Sequence, residues 1–224
     1  LSFTGTATPV TYQVSDTNGA TVSSTITITV TPVIPVAVND SENTVFNTPV
    51  DIDLLDNDAA GDEVVPLVPA RTVFPSEGQP EGVTVSEDGK TLTIAGQGTY
   101  VLNDEGVATF TPETDWSGTT TPVNYRIEDE NGTQVTATVQ VTVRPGPVAT
   151  ADSDTTLQGI AVTVSPLEND TPSRNADDSE GEWDAASVVF PAEGQPEGAT
   201  VSEDGKTLTV PGQGVYTIDE ETGE

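Results

Sequence analysis

The chain has 224 residues, 37 of them Asp or Glu and only six Lys or Arg, for a formal charge of −31. A chain this acidic disfavours a nucleic-acid backbone or an anionic membrane as partner, because both call for clustered basic side chains. It has no cysteine and no histidine, which removes disulfides, thiol metal sites and the commonest general base.

Taken in order, residues 10–30 read as a hairpin. Val10, Tyr12 and Val14 alternate with polar residues, SDTNGA makes a turn, and Val22, Ile26, Ile28 and Val30 line a second, long strand. The block returns at 123–143, where Val123, Tyr125 and Ile127 precede EDENGT and apolar residues from Val135 to Val143 follow it. Just upstream, FTGTATPV at 3–10 matches WSGTTTPV at 116–123, so Phe3 and Trp116 are expected to fill a shared buried slot. The Pro-rich stretches 31–38 and 144–150 read as stiff linkers. Each leads into an AxxD element (Ala37 to Asp40, Ala149 to Asp152), then an expected strand at 50–54 or 162–164, then an acidic loop, LLDNDAAGDE or LENDTPSRNADDSEGEW.

The most explicit repetition follows. FPSEGQPEGVTVSEDGKTLTIAGQGTY at 74–100 returns at 190–216 with five of its 27 positions changed, all to small or apolar residues. Asp88 and Gly89 suit a two-residue hairpin turn in which both have positive φ. That register sets Val85 against Leu92, Val83 against Ile94 and Glu87 against Lys90, with the apolar set on one face. The Glu87–Lys90 pair would be worth roughly 0.2–1 kcal/mol, and Glu203 with Lys206 repeats it. GQGTYVL, a turn at 104–106 and VATFTP then complete the unit.

The chain is out of phase with its own repeat. Residues 1–32 form the tail of one copy, 33–145 a whole copy, and 146–224 the head of a third. Short alternating strands with frequent turns predict an all-β chain of tandem immunoglobulin-like β-sandwich repeats, joined by stiff linkers into a rod. The opening residues show no leader pattern, and the expectation is a window on a longer array. The alternative is a filament subunit whose tail half completes the head half of its neighbour, head to tail, by strand addition.

The order of these signals resembles the CshA-type fibril repeat of bacterial cell-surface adhesins. The carrying residues are AxxD, PVDIDLLDND at 49–58, GQGTY, VATFTP and WSGTTTPVNYRIEDENG at 116–132. The ND-bearing strand end also resembles the cadherin-like tandem repeats of secreted bacterial proteins. The resemblance implies an extracellular, cell-surface location and a stalk or fibril that presents an adhesive tip to a host or surface ligand.

Candidate sites are few. Asp56, Asp58, Asp62 and Glu63 crowd one loop, with Asp51 and Asp53 just before it; the candidates are Asp40, Asp53, Asp56, Asp58 and Asp62, with Asp152 and Asp170 in the last copy. Together they are the candidate ligands for calcium, a hard cation that takes about six to eight oxygens. The alternative is that these are turn residues bonding their own backbone. Asp40 and Asp152 could also share an ion with Asp16 or Asp129. Carboxylate pairs could serve a glycosidase, but they sit in hydrophilic turns, and no enzyme is expected. Lys90 and Lys206, the only lysines, are expected to pair with Glu87 and Glu203. Trp183 reads as the cover of a domain edge, and Tyr12, Tyr100, Tyr125 and Tyr216 read as core. The expected function is a structural spacer; the alternative is a repeat that itself grips a carbohydrate or protein.

Overall fold

The computed structural model describes residues 3–224; Leu1 and Ser2, which begin the first partial copy, lie outside the described residues. Among the described residues sixteen strands and two single 3-10 turns, Pro69–Arg71 and Ala185–Ser187, make up the regular structure, so the chain is all-β as expected. The first partial copy holds β1 (Gly5–Thr6), β2 (Val10–Ser15), β3 (Thr21–Ile26) and β4 (Thr29–Val30). The complete copy holds β5 (Asp40–Thr44), β6 (Val50–Asp53), β7 (Val83–Val85), β8 (Thr91–Ile94), β9 (Gly98–Leu102), β10 (Val107–Pro112), β11 (Gly118–Thr119), β12 (Val123–Glu128) and β13 (Gln134–Val143). The last copy holds β14 (Thr200–Val201), β15 (Thr207–Val210) and β16 (Gly214–Thr217).

Two sheets form the complete copy. One has the order β6-β10-β9-β8-β7; the other runs β11-β13-β12, with β5 also paired to β13. Strict alternation decides which side chains meet. Leu92, Ile94, Tyr100, Leu102, Ala108 and Phe110 point inward from the first sheet, and Val123, Tyr125, Ile127, Val139, Val141 and Val143 from the second. Tyr100 stands at the centre, its ring 4.6 Å from that of Phe110 and 5.8 Å from that of Phe74. Its hydroxyl lies 3.3 Å from that of Thr120, so the buried phenol keeps a partner. Each of these large side chains contributes roughly 1.5–3 kcal/mol by leaving water.

The β7–β8 hairpin has the expected register, Val85 opposite Leu92 and Val83 opposite Ile94. Its turn differs. Only Gly89 has positive φ (70°); Asp88 does not. The Gly89 amide donates to the Ser86 carbonyl, the Ser86 hydroxyl donates to the Asp88 carboxylate, and the amides of Lys90 and Thr91 donate to Asp88 Oδ1 and Ser86 Oγ. These side-chain bonds stabilise a right-handed turn that ends in one left-handed glycine, so Asp88 never needs the strained region. A Cβ on Gly89 would sit 3.0 Å from Val73 Cβ, so glycine is also needed for the tip to lie against residues 73–74.

The charge pair expected at that tip does not form. Lys90 Nζ turns inward and donates to the carbonyls of Ala70 (3.1 Å) and Thr72 (3.0 Å), and Lys206 does the same with Ala186 and Val188 (2.7 Å each). Two otherwise unmet carbonyls outcompete one exposed carboxylate.

The partial copies share the pattern without the core. β2 and β3 pair in the register of β12 and β13, yet every residue of the hairpin is exposed. Tyr12 is 46 % exposed where its counterpart Tyr125 is 0 %, and Tyr216 is 53 % exposed where Tyr100 is 0 %. Tyr12 and Tyr216 are therefore not core residues. Phe3 is 52 % exposed and Trp116 half-buried, so the expected shared slot does not close around Phe3. The long strand expected up to Val30 breaks into β3 and β4, and 162–164 forms no strand. One reason covers all of these differences: the elements that cover the equivalent residues in the complete copy have no counterpart in place around the partial ones. β6, for example, pairs with β10, and the described residues hold no second β10.

The chain forms two compact units. One consists of Leu1–Glu42 (described from Phe3), Pro49–Glu113 and Thr119–Val141; the other consists of Asn43–Thr48, Thr114–Gly118 and Thr142–Glu224. Among the described residues no helix is long and apolar enough to cross a membrane.

Candidate functional site

The acidic loop after β6 folds back on the linker that precedes β5. Asp53 Oδ1 accepts the Leu55 amide and the Asp58 amide reaches the Leu55 carbonyl, which tightens the loop into a turn. Ala59 and Val36 then exchange both main-chain bonds, at 2.8 and 2.9 Å. This places Asp58 Oδ1 2.7 Å from the Val38 amide, which donates to it. Across the same junction, the Tyr125 hydroxyl donates to the Val38 carbonyl at 2.9 Å and lies 3.2 Å from Asp58 Oδ2. Asn57 Nδ2 donates to Asp40 Oδ1 at 2.8 Å. Linker, loop and core tyrosine are thus stapled at one point.

The staple contains two carboxylates that are short of solvent. Asp40 is 9 % exposed, and its Oδ2 is buried without a hydrogen-bond partner. Burial pushes its pKa up to about 6; the Asp58 charge adds to the rise, and the Tyr125 hydroxyl and Asn57 oppose it. Burial raises Asp58 too, against the Val38 amide and Tyr125. Desolvation outweighs the hydrogen bonds because each carboxylate has few donors, and at Asp40 the Asp58 charge adds to it. Both pKa values lie above the unfolded value, so the folded state holds more protons between about pH 4 and 6, and stability falls as pH rises through that window. Asp40→Asn, which is neutral throughout, is therefore expected to raise the melting temperature at pH 7.5 and to raise it much less at pH 4.5, as read by thermal unfolding at the two pH values.

The last copy repeats the staple without its tyrosine. The Thr150 amide donates to Asp170 Oδ1 at 2.6 Å, Asn169 Nδ2 donates to Asp152 Oδ1 at 3.0 Å, and Val148 pairs with Thr171. Beside each staple lies an open acidic cleft. That of the complete copy, about 400 Å³, is lined by Asp40, Glu42, Asp51, Asp53 and Asp56; that of the last copy, about 380 Å³, includes Asp152, Asp154 and Glu168.

The candidate calcium ligands are thus divided. Asp40, Asp53 and Asp56 share a cleft, Asp58 belongs to the staple, and Asp62 caps the Val64 amide. Asp152 and Asp170 form the second staple. Asp16 Oδ1 accepts the amides of Asn18 and Ala20, and Asp129 Oδ1 that of Thr133, so both cap their own turns. Among the described residues no three or more Asp and Glu side chains are drawn together in the arrangement of a metal-ligand group. Trp183 is 37 % exposed.

Sequence reasoning missed three sets of residues. Tyr125 read as core only, yet its hydroxyl serves the staple. Gln79 makes a two-way clasp on β12, with Oε1 accepting the Asn124 amide at 2.9 Å and Nε2 donating to the Asn124 carbonyl at 2.7 Å. Gln97 does the same for Thr121, through its amide and its hydroxyl. The signal was present: both glutamines recur in the duplicated stretch, as Gln195 and Gln213.

A search of curated proteins finds no match to the chain. A family described as the surface adhesin CshA repetitive domain matches residues 32–143. Surface adhesins are proteins of a non-enzymatic kind, and they work outside the cell at its surface. The match covers half of the 224 residues and contains the sandwich, the clasps and the staple described above, and the chain belongs to the family of surface adhesin CshA repeats.

Proposed function

We propose that the chain supplies spacer repeats to the stalk of a bacterial cell-surface adhesin, setting the distance between the cell and an adhesive tip. One observation carries this reading. The residues duplicated with least change, Gln79 with Gln195, Lys90 with Lys206 and Gly89 with Gly205, are turned onto the main chain of their own copy or packed against it. Binding loops diverge between copies when they serve a ligand; internal clasps are held constant by packing. The acidic surface keeps neighbouring stalks apart by charge repulsion, and the staple restrains the linker at the start of each copy. Neighbouring repeats are the partners this reading requires, and a host ligand belongs to the tip.

The test is exchange. Replacing residues 32–143 in the displayed adhesin by an unrelated β-sandwich of equal length should preserve adhesion, whereas deleting them should weaken it. Saturable binding of the 224-residue chain itself to host glycans or proteins would overturn the spacer reading in favour of a ligand-binding repeat.

Calcium enters this proposal through charge alone. With no convergent ligand set, calcium and sodium at equal ionic strength are expected to raise the melting temperature alike, by screening a charge of −31. A calcium-specific rise, reversed by chelator, would show that the acidic clefts rearrange into an ion site.

A further inference from the structure

Two of the six basic residues in the chain, Arg144 and Arg174, meet at one residue, Asp178. Arg144 directly follows β13 and opens the linker. Arg174 begins a small hairpin in the acidic loop of the last copy, where it bridges Glu180, and where the Gly181 amide donates to the Ser173 carbonyl at 2.9 Å. We propose that this hairpin, residues 174–180, is a latch on the linker: Arg144 and Asp178 close it, and it holds the linker stiff in dilute medium and loosens as salt screens the pair.

The hairpin is an addition to the repeat. Asp40 and Asp152 lie 112 residues apart, but Phe74 and Phe190 lie 116 apart, so the last copy carries four extra residues between these points. In the complete copy the corresponding stretch closes as a tight turn, Asp62 bridging Val65. The extra residues extend it into the hairpin, whose tip is held from within. The Asn175 amide donates to the Ser179 carbonyl and the Asp178 amide to the Asn175 carbonyl, both at 3.0 Å, and the amide and hydroxyl of Ser179 donate to Asp177 Oδ1. Asp178 itself has a φ of 70°, a left-handed backbone that glycine usually fills. Glycine would bring no carboxylate to the tip. Asp178 Oδ1 lies 3.2 Å from Arg144 Nη1, and the Asp178 carbonyl accepts from Arg174 Nη1 at 2.9 Å.

The linker meets the acidic loop at three further points. Arg144 Nε donates to the Ala176 carbonyl at 3.4 Å, the Arg174 amide donates to the Pro145 carbonyl at 3.2 Å, and Val148 and Thr171 exchange both main-chain bonds at 2.8 and 2.9 Å. Residues near the end of β5 hold the same linker. The Arg144 amide donates to the Thr44 carbonyl at 2.9 Å, and a Cβ on Gly146 would sit 2.6 Å from Phe46 Cδ1, so glycine lets the linker lie against that ring. In the earlier linker Thr31 and Val33 stand where Arg144 and Gly146 stand, so the cation and the longer loop occur together. The Arg144 side chain is 21 % exposed and that of Asp178 56 %, so dissolved ions reach the pair and weaken it. The use of such a latch in a stalk rests on the spacer reading; its action on the linker does not.

Residue-resolved amide exchange on the 224-residue chain tests this, in about 0.01 M and about 1 M sodium chloride, between which the screening length falls from about 30 to about 3 Å. Arg144→Gln and Asp178→Asn are each expected to speed exchange of the Val148 and Arg174 amides about fivefold in dilute salt, while the amides of β9 exchange as before. Asparagine tolerates the left-handed turn, so Asp178→Asn removes the charge and keeps the hairpin. The double variant should exchange no faster than Arg144→Gln alone, because the two side chains act as one pair. High salt should speed the same two amides in the parent chain and leave them unchanged in the double variant. Unchanged exchange in both single variants, effects that multiply in the double variant, or parent amides indifferent to salt would overturn the proposal. A loss of adhesion when the repeat is exchanged for another sandwich would count against the spacer reading alone.

Discussion

Replacing Tyr100 by Ala is expected to destabilise the complete copy by about 3–5 kcal/mol, the cost of removing a large aromatic side chain from a closed core. Tyr216→Ala, the same substitution at the same place in the repeat, is expected to cost less than about 1 kcal/mol. The contrast rests on surroundings alone. Tyr100 is fully buried, packed between the tilted rings of Phe74 and Phe110 and bonded to Thr120. Tyr216 is 53 % exposed, with Phe190 as its ring neighbour at 6.3 Å. At roughly 4 °C per kcal/mol for a copy of this size, Tyr100→Ala should lower the melting temperature by roughly 12–20 °C. Equal losses for the two variants would mean that the last copy is as well packed as the complete one.

Lys90→Met should cost about 2–3 kcal/mol, although it preserves the length and most of the apolar stem of the side chain. The side chain is one-fifth exposed, and its ammonium serves two carbonyls, those of Ala70 and Thr72, on the segment that also carries Phe74 into the core. Removing it leaves those carbonyls without their charged donor and frees the hairpin tip from the segment it braces. The Asp104 carboxylate, 3.5 Å from Nζ and 80 % exposed, adds little. Asp104→Ala is therefore expected to change stability by under about 0.5 kcal/mol. Urea unfolding of the two variants separates the contributions: if the Asp104 variant loses as much as the Lys90 variant, the ion pair and not the carbonyl clasp is what the lysine provides.

Much of the sandwich was legible along the chain. The alternation of Val123, Tyr125 and Ile127 announced β12, and the duplicated SEDGK turn announced the register of β7 against β8, because a one-residue slip would reverse every apolar side chain. The turn type was not legible. Asp88-Gly89 favours two left-handed residues in general, and only the bonds among Ser86, Asp88 and Thr91 stabilise the alternative. The staple was half legible: the recurrence of Asn57-Asp58 as Asn169-Asp170 marked the loop, but nothing along the chain tied it to Tyr125, which lies 67 residues further on. Lys90 was misassigned because sequence shows the nearest carboxylate and hides the nearest carbonyl.

By itself, the order of residues determined the repeat, its strand pattern and its pairing registers, since these follow from side-chain alternation and local turn chemistry. Only the tertiary structure decided which of two equivalent residues lies in a core. Tyr12 and Tyr125, or Tyr100 and Tyr216, have nearly the same neighbours along the chain, yet one of each pair is enclosed and the other faces water. Burial is a property of what covers a residue, and that cover comes from strands distant in sequence.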